Sequence, residues 1–116
     1  MQILSTPARL GSAWSGRSAW SFRARLTCHW SEFEVSVCVC TEPNCTCDEA
    51  VVYLRWPVPD LIVGSTRIRL ADGAESGGRS VVGIEAHAAL DEVVAGLPPD
   101  LSAIARAEGA AARSNL

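Results

Sequence analysis

From Glu32 to Cys40 apolar and polar residues alternate without a break, with Phe33, Val35, Val37 and Val39 on one face and Glu32, Glu34, Ser36, Cys38 and Cys40 on the other. Successive side chains of a strand point to opposite sides, so this period of two predicts a half-buried strand over residues 32–40. Thr41-Glu42-Pro43-Asn44 reads as a turn, since Pro presets its own φ and Asn tolerates the left-handed region. Val51-Val52-Tyr53-Leu54-Arg55-Trp56 is β-branched and aromatic and predicts a second strand over 49–56, closed by Pro57 and Pro59. A third strand is expected over 61–71, with Thr66, Ile68 and Leu70 inward and Arg67 and Arg69 outward. After the glycine-containing connection at Asp72-Gly73 and Gly77-Gly78, a fourth is expected over 80–87. There Val82, Ile84 and Ala86 share one face, Val81, Gly83, Glu85 and His87 the other, and Gly83 marks a bulge or a close backbone approach.

The period then lengthens. Ala86, Ala89, Leu90, Val93, Val94 and Leu97 recur at helical spacing, which predicts a short amphipathic helix near 88–95. Gly96 suits the left-handed position after a helix, and Pro98-Pro99 prevents continuation. Asp100 is a natural N-cap for a last helix carrying Leu101, Ile104, Ala105 and Ala112. The pattern as a whole predicts an α+β fold: a small, mostly antiparallel β-sheet of about four strands followed by two short C-terminal helices.

Residues 1–31 carry no such signal. The first 27 contain no acid, four Arg, five Ser and two Trp, and Pro7, Gly11 and Gly16 interrupt any period. An organelle transit peptide, a basic arm that touches a partner and a poorly ordered basic leader all fit this composition. We take the last as the working expectation, with residues 32–116 as a single small domain.

A chain of 116 residues with 48% hydrophobic and 20% charged positions can bury a core without disulfides or a metal. Charge is uneven: residues 1–40 carry four Arg against Glu32 and Glu34, a net +2, whereas residues 41–116 carry six Arg against eleven acids, a net −5. An acidic body without a basic stripe argues against nucleic-acid binding, which draws most of its affinity from cations neutralising phosphates. No uncharged apolar run approaches the roughly 20 residues of a membrane span, and no apolar secretory segment opens the chain. A cytoplasmic, reduced protein is the expectation.

Five cysteines fall within 20 residues: Cys28, Cys38, Cys40, Cys45 and Cys47, with His29 beside the first. If residues 41–44 form a four-residue loop, Cys40 lies opposite Cys45 and Cys38 opposite Cys47, and all four thiols share one face. Opposed Cβ atoms of an antiparallel pair are about 5 Å apart, close enough for a tetrathiolate zinc site after adjustment. The one-residue spacing strains the tetrahedron, because structural zinc ligands usually pair as Cys-x2-4-Cys. Cross-hairpin disulfides and plain thiols acting as small hydrophobes are the competing readings.

Catalytic signatures are sparse. On an extended strand Glu85 and His87 would share a face, with Tyr53 or Arg55 approaching from a neighbour, the minimum of an acid–base pair but with no nucleophile signature beside it. Arg67 and Arg69 could hold an anion, though the outer face of a strand accounts for them equally. Gly73 and Gly77-Gly78 lie between expected strands, not between a strand and a helix, so no phosphate loop is formed.

From Asp48 to about Leu101 the chain resembles the YuzE-like family of small bacterial proteins of unknown function. The resemblance is carried by Asp48, Tyr53-Leu54-Arg55, the Asp72-Gly73 turn and Val81-Val82-Gly83-Ile84-Glu85, and the cysteines lie outside it. It implies a compact bacterial α+β domain without an established activity, and members of such families sometimes look like partners of small toxin proteins. We therefore expect a non-catalytic interaction module, an acidic partner for a small basic protein or a homo-oligomer. A zinc-binding protein using Cys38, Cys40, Cys45 and Cys47 is the alternative, and an enzyme built on Glu85 and His87 the weaker one.

Overall fold

The computed structural model describes residues 1–9, 17–40, 49–56 and 61–97. Its elements are β1 (Gln2–Ile3), β2 (Ala8–Arg9), β3 (Arg17–Leu26), β4 (His29–Cys40), β5 (Glu49–Trp56), β6 (Leu61–Arg69), β7 (Ser80–Val81) and α1 (Ile84–Gly96). The strands form one antiparallel sheet in the order β1-β3-β4-β5-β6-β7, with β2 pairing β3 beside β1. An α+β class therefore holds. The sheet is wider than the four strands expected, and the last helix expected from Asp100 lies outside the described residues.

The added width comes from the N-terminal stretch read as a poorly ordered leader. β3 pairs with β4 from Arg17↔Cys40 to Arg25↔Glu32, and Thr27-Cys28 makes the turn between them. Its Trp20, Phe22, Ala24 and Leu26 are buried while Arg23 and Arg25 are exposed, a period of two like that of β4. Phe22, Val35, Val52 and Leu54 are among the most deeply buried side chains, so the core spans β3 as fully as β4 and β5.

α1 lies across this apolar face. Ala86, Ala89, Leu90 and Val93 are its buried residues, at the i, i+3, i+4, i+7 spacing of a single helical stripe. The approach is close at Gly64, where an added Cβ would stand 3.0 Å from Leu90 Cδ1. A side chain at that point of β6 would require Leu90 to give way.

The fourth strand departs most from expectation. Only Ser80 and Val81 pair with β6, and the helix begins at Ile84. Gly83 takes φ 85°, in the left-handed region that glycine enters without steric cost, and turns the chain from strand into helix. Val82 and Ile84, placed inward by an extended reading, are consequently 70% and 84% exposed. At the other end α1 runs through Gly96 and stops at Leu97 in an extended conformation, so Gly96 is not a left-handed cap. Its lack of a side chain instead admits Met1, whose Cε would lie 3.1 Å from a Cβ there.

Two substitutions on α1 separate these roles. Leu90→Ala removes a fully buried side chain and is expected to lower the unfolding free energy by about 2–5 kcal/mol, whereas Ile84→Ala is expected to change it by less than about 0.5 kcal/mol. Urea unfolding of both variants measures the contrast.

Candidate functional site

The register of β4 against β5 places Cys38, the one member of the four-cysteine set whose side chain is described. Val35, Val37 and Val39 stand opposite Leu54, Val52 and Ala50, which aligns the buried faces of the two strands and places Cys38 opposite Val51. The loop of residues 41–44 expected to oppose the thiols lies outside the described residues. Cys38 is buried, the side chain of Cys40 and both Cys45 and Cys47 lie outside the described residues, and among those described no group of three or more His, Cys, Asp or Glu converges on a point. Cys28 sits in the β3–β4 turn, ten residues from Cys38 along a continuous strand and thus roughly 30 Å away.

Glu85 and His87 do not share a face either, because both belong to the start of α1 and residues two apart on a helix do not meet. Tyr53 and Arg55 point away from them, on the sheet face opposite the helix. Arg55 instead lies 3.7 Å from Glu34 and donates to Ser36 Oγ at 3.4 Å.

What the corner at Gly83 does bring together is apolar surface. The amide of Val82 donates to Val63 O at 3.0 Å, which sets Val82 and Ile84 beside the start of β6. There Leu61, 49% exposed, stands opposite Trp56 of β5, whereas Ile62 stands opposite Arg55 and turns to the other face of the sheet. A cleft of about 50 Å³ opens between the elements, lined by Phe33, Trp56, Val63, Val82, Glu85 and Ala86. The rings of Phe33 and Trp56 stack behind it with centroids 5.6 Å apart. Periodicity missed these exposed side chains because Val82, Ile84 and Ala86 satisfy a period of two as well as they begin a helix. A glycine one residue ahead of the helical stripe was the available signal.

Two carboxylates hold α1 in the position that creates this corner. Glu92 accepts hydrogen bonds from Thr27 N (2.7 Å), Thr27 Oγ1 (2.7 Å) and Cys28 N (3.2 Å), and its Oε2 lies 2.9 Å from the Met1 ammonium. Burial acts to raise its pKa, but these donors outweigh it and bring the group down to about 2. Glu75 is gripped by the Arg79 guanidinium, accepts from Thr66 Oγ1 at 2.8 Å, and is likewise lowered to about 2, chiefly by Arg79. Arg79 also pairs with Asp91 and donates to His87 O at 3.0 Å, tying the β6–β7 connection to the helix.

Comparison of the chain with family models, curated proteins and solved structures finds no match. No helix among the described residues is long and apolar enough to cross a membrane.

The clamps carry a pH signature. A carboxylate whose folded pKa lies below its unfolded value of 4.5 adds stability that is fully present above that value and is lost as pH falls toward the folded value. Unfolding free energy is therefore expected to fall between about pH 5 and pH 2, and to fall less steeply in the Glu75→Gln, Glu92→Gln double variant. Urea titrations at a series of pH values measure both slopes.

Proposed function

We propose that this chain is a non-catalytic protein-interaction module, and that its contact surface is the apolar corner formed by Leu61, Val82 and Ile84. The observation that supports this reading is a small cleft lined by Phe33, Trp56 and the 70% exposed Val82, with Leu61, 49% exposed, paired to Trp56 and Ile84, 84% exposed, two residues beyond Val82. Aliphatic residues scattered singly over a surface need no explanation, whereas a contiguous patch costs solubility and is retained where it is covered in use. Stacked aromatics behind the cleft supply the rigid floor on which interface anchors commonly seat. The surrounding charge favours a basic partner, since residues 41–116 carry a net −5 and Glu85 stands at the rim of the cleft. The YuzE-like resemblance agrees in kind, with a small basic toxin-like protein as the partner it suggests.

A photoreactive residue placed at position 84 in the producing cells is expected to give a discrete cross-linked product, while the same residue at position 25, on the opposite face, gives none. The mass of the product distinguishes a second copy of the chain from a different protein. Ile84→Asp should leave the thermal midpoint within about 2 °C of wild type, because the side chain is 84% exposed, and weaken the association at least tenfold. Absence of a position-84 product, or identical products from both positions, refutes the reading.

A further inference from the structure

The sheet face opposite α1 carries a second, chemically different depression. It is a hollow of about 410 Å³ between β5, β6 and the turn that leads into β7, bounded by Val51, Tyr53, Ser65, Arg67, Gly78 and Ser80. That volume lies within the range of small-molecule sites, and the hollow is some eight times the size of the apolar cleft. Its lining is polar and includes two arginines but no carboxylate.

The two arginines are not equivalent. Arg79 is spent on Glu75, Asp91 and the helix backbone, as described above. Arg67 is exposed and makes no ion pair among the described residues, whereas Arg23, Arg25, Arg55 and Arg69 each have a carboxylate within 4 Å. In a chain with more acids than cations, a guanidinium left unpaired beside an acid-free hollow is positioned for a charge from outside. Around it stand three hydroxyls, those of Tyr53, Ser65 and Ser80, which make no hydrogen bond among the described residues.

We propose that this hollow binds a small organic phosphate monoester, with Arg67 as the anchor of its phosphate. A guanidinium presents up to five N–H donors in a planar fork, and the three hydroxyls add one donor each. A phosphate monoester offers three terminal acceptor oxygens to such a set, one more than a carboxylate. Val51 and the ring of Tyr53 supply an apolar wall for a compact organic body. The site lies across the sheet from the apolar corner, so it stands or falls independently of the interaction surface proposed above.

Titration of the full chain with phenyl phosphate, followed by amide chemical shifts, tests the assignment. The expected result is a saturable shift centred on Ser65, Arg67 and Ser80, weakened at least tenfold by Arg67→Gln, weakened less by Arg67→Lys, and unchanged by Arg25→Gln. Phenol, which keeps the ring and lacks the phosphate, is expected to give no saturable shift there. The proposal is overturned if phenyl phosphate produces no saturable shift at these residues, if Arg67→Gln binds as wild type does while its spectrum elsewhere is unchanged, or if phenol reproduces the response.

Discussion

At Gly83 the backbone takes a φ of 85°, and the conformation of that one residue governs which side chains at this end of the molecule meet water. A residue with a Cβ enters this region only at a steric cost, so a chain without glycine here would favour continuing as a strand. Extension beyond Val81 would set Val82 alongside Val63 and carry the following residues down the edge of β6. The turn instead sends the chain back over the sheet as α1, brings Leu90 down onto Gly64 and leaves Val82 and Ile84 in solvent. Two glycines thus cooperate: one reverses the chain, and the other lets the returning helix come close.

A helix that buries two alanines and two larger residues gains limited apolar contact, and polar clamps complete its attachment. Glu92 reaches the β3–β4 turn and the amino terminus, while the Glu75–Arg79–Asp91 chain holds the β6–β7 connection to the opposite flank of the helix. Neither clamp is an isolated surface ion pair of the kind that contributes little. Each carboxylate also accepts neutral donors, and Thr66, which bonds Glu75, is itself buried. The connection held in this way also forms one wall of the hollow near Arg67, so the same clamps shape both candidate surfaces.

Much of this was legible in the alternation of the chain. β5 occupies the residues expected of it, and β4 and β6 differ from expectation only at their ends, because branched and aromatic residues at period two mark half-buried strands without ambiguity. β3 was obscured by its serines and alanines and by the glycines before it, although Trp20, Phe22 and Leu26 keep the same period. The segment at 80–87 misled because a short apolar run fits strand and helix alike, and the arbiter is a glycine torsion that no periodicity reports. For the cysteines the register reports only that Val37 aligns with Val52 and Cys38 with Val51, while Cys45 and Cys47 lie outside the described residues. Long-range partners such as Thr27 and Glu92, 65 residues apart, left no local trace.

Where the strand ends and the helix begins is therefore decisive, since an extended segment through His87 would turn Val82 to the other face of the sheet and dissolve the apolar corner. Backbone carbon chemical shifts across residues 80–97 decide this directly. The structure requires extended values at Ser80 and Val81, a break at Gly83 and helical values from Glu85 to Ala95. Extended values continuing to His87 would contradict it.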